Sequence, residues 1–138
     1  MAANTVPIFV RTPKIGMVTM TSTAVTSYDG TDANVATAFT ADATNGSKIN
    51  TVYVVAQGSA TATVVRFWVN NGSTAGTASN NVLVHEETFA TVATSQTAAV
   101  TSVTWNANLA LPAGYKLLVA HGTATATGLA CTVLGGDY

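Results

Sequence analysis

Apolar and polar positions alternate in short runs from Ile15 to the C-terminus. In residues 61–70, Thr63, Val65, Phe67 and Val69 share one parity, and Val64, Arg66, Trp68 and Asn70 the other. That period of two marks a half-buried strand. In 115–121, Tyr115, Leu117, Val119 and His121 alternate with Lys116, Leu118 and Ala120. Residues 48–57 are apolar on both parities, Val52, Val54 and Ala56 against Ile49, Tyr53 and Val55. This predicts a central strand covered on both sides. The same criteria predict strands over 16–27, 34–42, 48–57, 61–70, 81–90, 98–106, 115–121 and 128–134. The high β-branched content suits a pleated surface, and no stretch carries the 3.6-residue stripe of a helix.

Turn residues separate these runs. Asp29-Gly30 and Asn45-Gly46 are two-residue hairpin signals. The second lies between 34–42 and 48–57, so those strands are expected to pair antiparallel. Asn70-Asn71-Gly72 opens a polar tip of about 11 residues, too long for a tight turn. Leu111-Pro112-Ala113-Gly114 fits a β-turn with proline at its second position, and Gly135-Gly136 ends the last strand. The expectation is an all-β fold, an antiparallel β-sandwich or jelly roll of about eight strands over residues 15–138. Alanines on the inner faces would let the sheets approach, with bulk from Phe39, Phe67, Trp68, Phe89, Trp105, Leu117 and Leu129.

Residues 1–14 read as an extended N-terminal arm. Pro7 and Pro13 lack amide donors and push Val6 and Thr12 toward extended geometry. The run Pro7-Ile8-Phe9-Val10 is too apolar for a free tail and should lie against its own domain or a neighbour. The candidate partner-binding residues are therefore Val6, Pro7, Ile8, Phe9, Val10, Arg11, Pro13 and Lys14.

Composition sharpens this picture. Thr (25), Ala (24) and Val (18) make up almost half of the 138 residues. Charged residues are only 8%, with a net charge of −1, where about 25% charged is usual. Five Lys plus Arg cannot form the basic patch of a nucleic-acid binder. Cys131 has no partner for a disulfide. No run reaches the length of a membrane span, and the first residues show no basic-then-apolar leader pattern. A surface so poor in ions repels its neighbours weakly and can be covered without stripping water from charges. Much of it is expected to lie against other protein.

Little in the chain points to catalysis. His85-Glu86-Glu87 is the densest polar cluster, but on a strand His85 and Glu87 share a face that Glu86 does not. His121 is the only other histidine, and its spacing does not argue for a zinc site. Asp29-Gly30-Thr31-Asp32 lacks the alternating ligands of a calcium loop. No serine sits in a nucleophile-elbow pattern, and Asn45-Gly46-Ser47 and Asn71-Gly72-Ser73 read as turns. Trp68, Trp105 and Tyr53 would form a sugar-stacking platform if exposed, but aromatic residues on strands usually fill the core. Neither an enzyme nor a bound metal or cofactor is expected.

Several pieces, in order, carry a resemblance. They are Thr12-Pro13-Lys14-Ile15-Gly16, Tyr28-Asp29-Gly30-Thr31, Phe39-Thr40-Ala41 followed by Asn45-Gly46-Ser47-Lys48-Ile49, Val64-Val65-Arg66-Phe67, Leu111-Pro112-Ala113-Gly114-Tyr115-Lys116-Leu117, and Gly135-Gly136-Asp137-Tyr138. Together they span most of the chain, and the chain resembles small structural proteins of tailed-bacteriophage virions. The resemblance implies a non-enzymatic β-sandwich, made in the host cytoplasm and assembled on the virion. The expected role is that of a capsid decoration or cement protein, a homotrimer bound across subunits of the major capsid protein or another virion protein. The alternatives are a tail- or fibre-associated virion protein and a carbohydrate-binding β-sandwich module.

Overall fold

The structure is a computed structural model that describes residues 9–138. Its strands are β1 (Thr12–Thr19), β2 (Ala36–Thr40), β3 (Ser47–Ala56), β4 (Thr63–Asn70), β5 (Asn81–Phe89), β6 (Ser102–Trp105), β7 (Leu109–Leu111), β8 (Lys116–His121) and β9 (Leu129–Asp137). A single 3-10 turn, Ala78–Asn80, precedes β5. Sheet I has the order β1-β9-β3-β6, with the short β7 continuing alongside β3; sheet II has the order β2-β8-β4-β5. All pairings are antiparallel, so the described residues form a β-sandwich of nine strands.

The main core lies between the sheets. Ile49, Val52, Val54, Leu129, Cys131 and Val133 of sheet I meet Phe39, Val65, Phe67, Phe89, Leu117 and Val119 of sheet II, all buried. Side-chain packing joins the sheets along both long sides of the sandwich. On one, Gly16 of β1 lies so close to the Ala38 carbonyl of β2 that a Cβ would strike the oxygen. On the other, the Trp105 ring of β6 stacks on His85 of β5, with centroids 4.4 Å apart and planes 11° apart, and Phe67 packs at 5.0 Å.

Sheet II also has a covered outer face. The chain from β1 to β2, residues 20–35, folds over it, and Val25, Trp68, Leu118 and Ala120 form a second buried cluster beneath. Polar contacts fasten this cover. Trp68 Nε1 donates to Tyr28 O at 2.8 Å, and Arg66 Nη1 donates to Val25 O at 2.9 Å. Arg66 also bonds Glu86 through Nε at 2.8 Å and lies 4.0 Å from the Tyr28 ring centroid.

Several expectations need correction. Strands 34–42 and 48–57 do not form a hairpin: β2 pairs with β8 and β3 with β9, β6 and β7. Asn45-Gly46 instead sits in a corner that carries the chain between sheets. Asp42 Oδ1 accepts from the amides of Thr44 and Asn45 at 3.0 and 2.7 Å, and Gly46, at φ +77°, approaches Leu111 O. Asp29-Gly30 likewise belongs to the cover over sheet II. The strand expected over 16–27 occupies Thr12–Thr19; its edge position tolerates Pro13, which has no amide to donate. Residues 12–14 of the arm are thus paired, with Pro13 opposite Gly136. The run 98–106 is strand only at Ser102–Trp105, and β7 was not anticipated; Asn108, at φ 48°, separates the two.

β3 is central but not covered on both sides. The register shifts between Ile49 and Thr51, a bulge that puts one extra residue in the strand. Ile49 therefore joins Val52 and Val54 on the buried face, while Tyr53 and Val55 point outward, each 37% exposed.

Candidate functional site

The outward residues of sheet I form one continuous surface. Cross-strand register aligns Ile15, Leu134 and Thr51 in one row, Met17, Thr132, Tyr53 and Thr104 in the next, and Thr19, Ala130, Val55 and Ser102 in the third. None of these side chains is charged. Met17 is 77% exposed and Ile15 59%. The hydroxyls at two corners are engaged within the surface, Thr19 donating to Gln57 Oε1 at 3.3 Å and Thr51 to Asn106 Oδ1 at 3.4 Å. A shallow depression of about 320 Å³ opens between Met17, Thr19, Gln57, Ala130 and Thr132. Large apolar side chains on display in a contiguous, ion-free patch mark an interaction surface.

The N-terminal candidates border this surface in part. Val6, Pro7 and Ile8 lie outside the described residues. Phe9 is 82% exposed. Val10 lies over Gly136 on the outer side of sheet I, and Phe9 and Val10 flank a depression shared with Lys48 and Asn50. Arg11 is exposed, and its amide donates to Asp137 O at 2.8 Å. Lys14 is engaged by its own fold: Nζ donates to Thr40 O at 2.8 Å, lies 3.3 Å from Asp137 Oδ1 and sits 5.2 Å from the Phe39 ring centroid. Asp137 Oδ1 also accepts from the buried Ser47 hydroxyl. Lys14 and Pro13 thus belong to the sandwich, and Phe9 and Val10 are the described arm residues that lead onto the outer face.

The candidate chemistry resolves into structural contacts. His85 and Glu87 share a face, as their alternation predicts, with Nε2 3.0 Å from Glu87 Oε2, while Glu86 turns to Arg66 on the other side. His121 is buried, with Nδ1 2.8 Å from Thr123 O and Nε2 2.6 Å from Thr21 O. Both ring nitrogens face carbonyl oxygens, so neither is open to a metal. Among the described residues no group of three His, Cys, Asp or Glu is placed to hold an ion. Burial pushes the Cys131 thiol up to about 12, which removes the thiolate that reactivity requires.

The aromatic candidates separate too. Trp68 is fully buried under residues 20–35 and Trp105 is half-buried against His85, so the two do not form a platform; Tyr53 alone of the three lies on the open surface. The residues missed by sequence reasoning are Ile15, Met17, Thr132 and Leu134. Their signal is the alternation of Ile15, Met17 and Thr19 against Gly16 and Val18, which a strand drawn over 16–27 cuts off at its start. No protein-family model, curated protein or solved structure matches the chain.

Proposed function

We propose that the chain is a non-enzymatic structural protein of a tailed-bacteriophage virion, a capsid decoration protein that stabilises the head by binding across capsid subunits as a homo-oligomer. The observation that carries this reading is the set of three uncharged rows on the outer face of sheet I, with Phe9 and Val10 leading onto the Lys48 end of that face. Sheet II, by contrast, is covered by the chain itself. A protein with one covered and one bare sheet has surface to bury against others. Each Å² of apolar area so removed from water contributes about 25 cal/mol, and an extended arm adds main-chain hydrogen bonds along a neighbour. Repetition over a symmetric shell multiplies modest contacts through effective concentration.

The test is a deletion ending at Phe9. Removing residues 1–14 would also take the start of β1 and the Lys14 contacts, confounding binding with folding. The shortened chain should keep its far-UV spectrum and thermal midpoint but lose co-sedimentation with tailed-phage particles. Full occupancy without the arm would remove the arm from the mechanism. Failure of the intact protein to label any virion, by immunogold microscopy of lysates, would end the decoration reading.

A further inference from the structure

We infer that Met17 is an oxidation switch on the outer face of sheet I. Peroxide converts its thioether to the sulfoxide in the unattached chain, and the sulfoxide leaves the fold intact but weakens the binding of this face to an apolar surface. The inference rests on the reading of that face as the one that assembly covers.

The placement of sulfur is the first argument. The described residues hold three sulfur atoms, in Met17, Met20 and Cys131. Met20 and Cys131 are sealed in the main core, only 2% and 1% exposed. Burial also pushes the Cys131 thiol up to about 12, and oxidants act on the thiolate. Met17 is 77% exposed. It stands on the edge strand β1, opposite Thr132, with a depression on either flank. One opens toward Gln57 and Ala130, the other toward Thr37 and Thr40. An oxidant therefore meets this sulfur long before it meets the other two.

The chemistry needs only hydrogen peroxide. A lone pair on Met17 Sδ attacks one peroxide oxygen, the O–O bond breaks, an S–O bond forms and water leaves. Sulfur is oxidised by two electrons and peroxide is reduced by two. The product is polar and chiral where the thioether was apolar and flexible, and a methionine sulfoxide reductase supplied with a thiol reductant reverses it.

The surroundings decide what the new oxygen does. On the unattached chain it faces water, and the exposed side chain has no core packing to lose, so the fold is indifferent. Under a covering protein the oxygen needs a donor in place of water. Ile15 offers none, and the Thr19 hydroxyl already donates to Gln57 Oε1. That leaves Thr132 across the strand. A polar atom buried with so little compensation weakens a contact about tenfold or more. The same cover shields Met17 once the chain is attached, so oxidation acts before assembly.

The test treats the full chain with hydrogen peroxide. Tandem mass spectrometry of the tryptic peptide 15–48, which holds both Met17 and Met20, should place one added oxygen on Met17 at least about tenfold faster than on Met20. The oxidised protein should keep its thermal midpoint within about 2 °C. It should leave a phenyl column earlier, and it should need about tenfold more protein to half-occupy tailed-phage particles. Met17→Leu, apolar but without sulfur, should match the untreated wild type before and after peroxide, and Met17→Gln should match the oxidised form. Chains already attached to particles should resist oxidation at Met17. Met20 reacting as fast as Met17, a thermal midpoint that falls as Met17 is oxidised, or a Met17→Leu protein that peroxide alters as it alters the wild type would each overturn the inference. So would unchanged column retention, or undiminished particle binding by the oxidised form. A chain that binds no particle in either form, but whose retention shifts as expected, keeps the switch and ends the virion reading.

Discussion

Trp68 is the side chain on which the asymmetry of the two sheets depends, and truncating it should be costly. It is 0% exposed, yet lies outside the main core, between sheet II and residues 20–35, with Val25, Leu118 and Ala120. Trp→Ala in a rigid core costs about 3–5 kcal/mol. Here one wall is an irregular segment that can settle into the space, which favours about 3 kcal/mol for the packing loss. The lost bond from Nε1 to Tyr28 O adds about 1 kcal/mol. Trp68→Ala should therefore destabilise by about 4 kcal/mol, a fall in thermal midpoint of about 12–16 °C for a domain of this size. Trp68→Phe keeps most of the packing and loses the bond, so about 1–2 kcal/mol is expected. Urea unfolding followed by far-UV circular dichroism measures both. A loss under about 1.5 kcal/mol for Trp68→Ala would show that residues 20–35 do not seal sheet II, and the contrast between the sheets would fail with it.

Other consequences are sharp enough to measure. Gly16→Ala should lower the thermal midpoint by several degrees, the equivalent of about 1–3 kcal/mol of overpacking, because its Cβ would meet Ala38 O across the β1–β2 seam; an unchanged midpoint would show that the seam is open. The Asp42 carboxyl is held below its ordinary value of 3.8 by the amides of Asn45 and Thr44, and Asp29 similarly by the amide and hydroxyl of Thr31. Carboxyls depressed in the folded state stabilise it above about pH 4 and lose that contribution as pH falls through the folded values. The thermal midpoint should thus drop as pH falls below about 4, and Asp29→Asn with Asp42→Asn should flatten the drop. Cys131, pushed up to about 12 by burial, should resist Ellman's reagent at pH 8 in the folded protein and react fully in guanidinium chloride.

The strands were legible because their residues are strongly β-branched and alternate; the pairing was not. Asn45-Gly46 carries a hairpin signal, but such a dipeptide specifies only that the chain turns, not whether the next strand stays in the same sheet. Here Asp42 collects the turn's amides and Ser47 ties to Asp137, so the turn crosses the sandwich. The bulge in β3 hid the outer face for a related reason. One extra residue reverses parity from that point on, so Ile49 seemed to share a face with Tyr53 although it lies on the opposite side. In the same way, Lys14 sits in a stretch that reads as a free arm, yet its amine bonds Thr40 O. A long-range contact of that kind leaves no local trace in the sequence.

The scarcity of ions and the sandwich geometry have a joint consequence that neither has alone. A neutral exterior on a protein with both sheets covered would need only to be tolerated. A bare sheet on a highly charged protein would be shielded by its own water and by repulsion between copies. Here five of the eleven Asp, Glu, Lys and Arg side chains are paired within the fold: Arg66 with Glu86, Lys14 with Asp137, and Glu87 with His85. None of the other six lies in the rows of Ile15, Met17 and Tyr53. On the reading proposed above, the uncharged rows of sheet I are therefore the surface that assembly would cover, since burying them strips water from no ion.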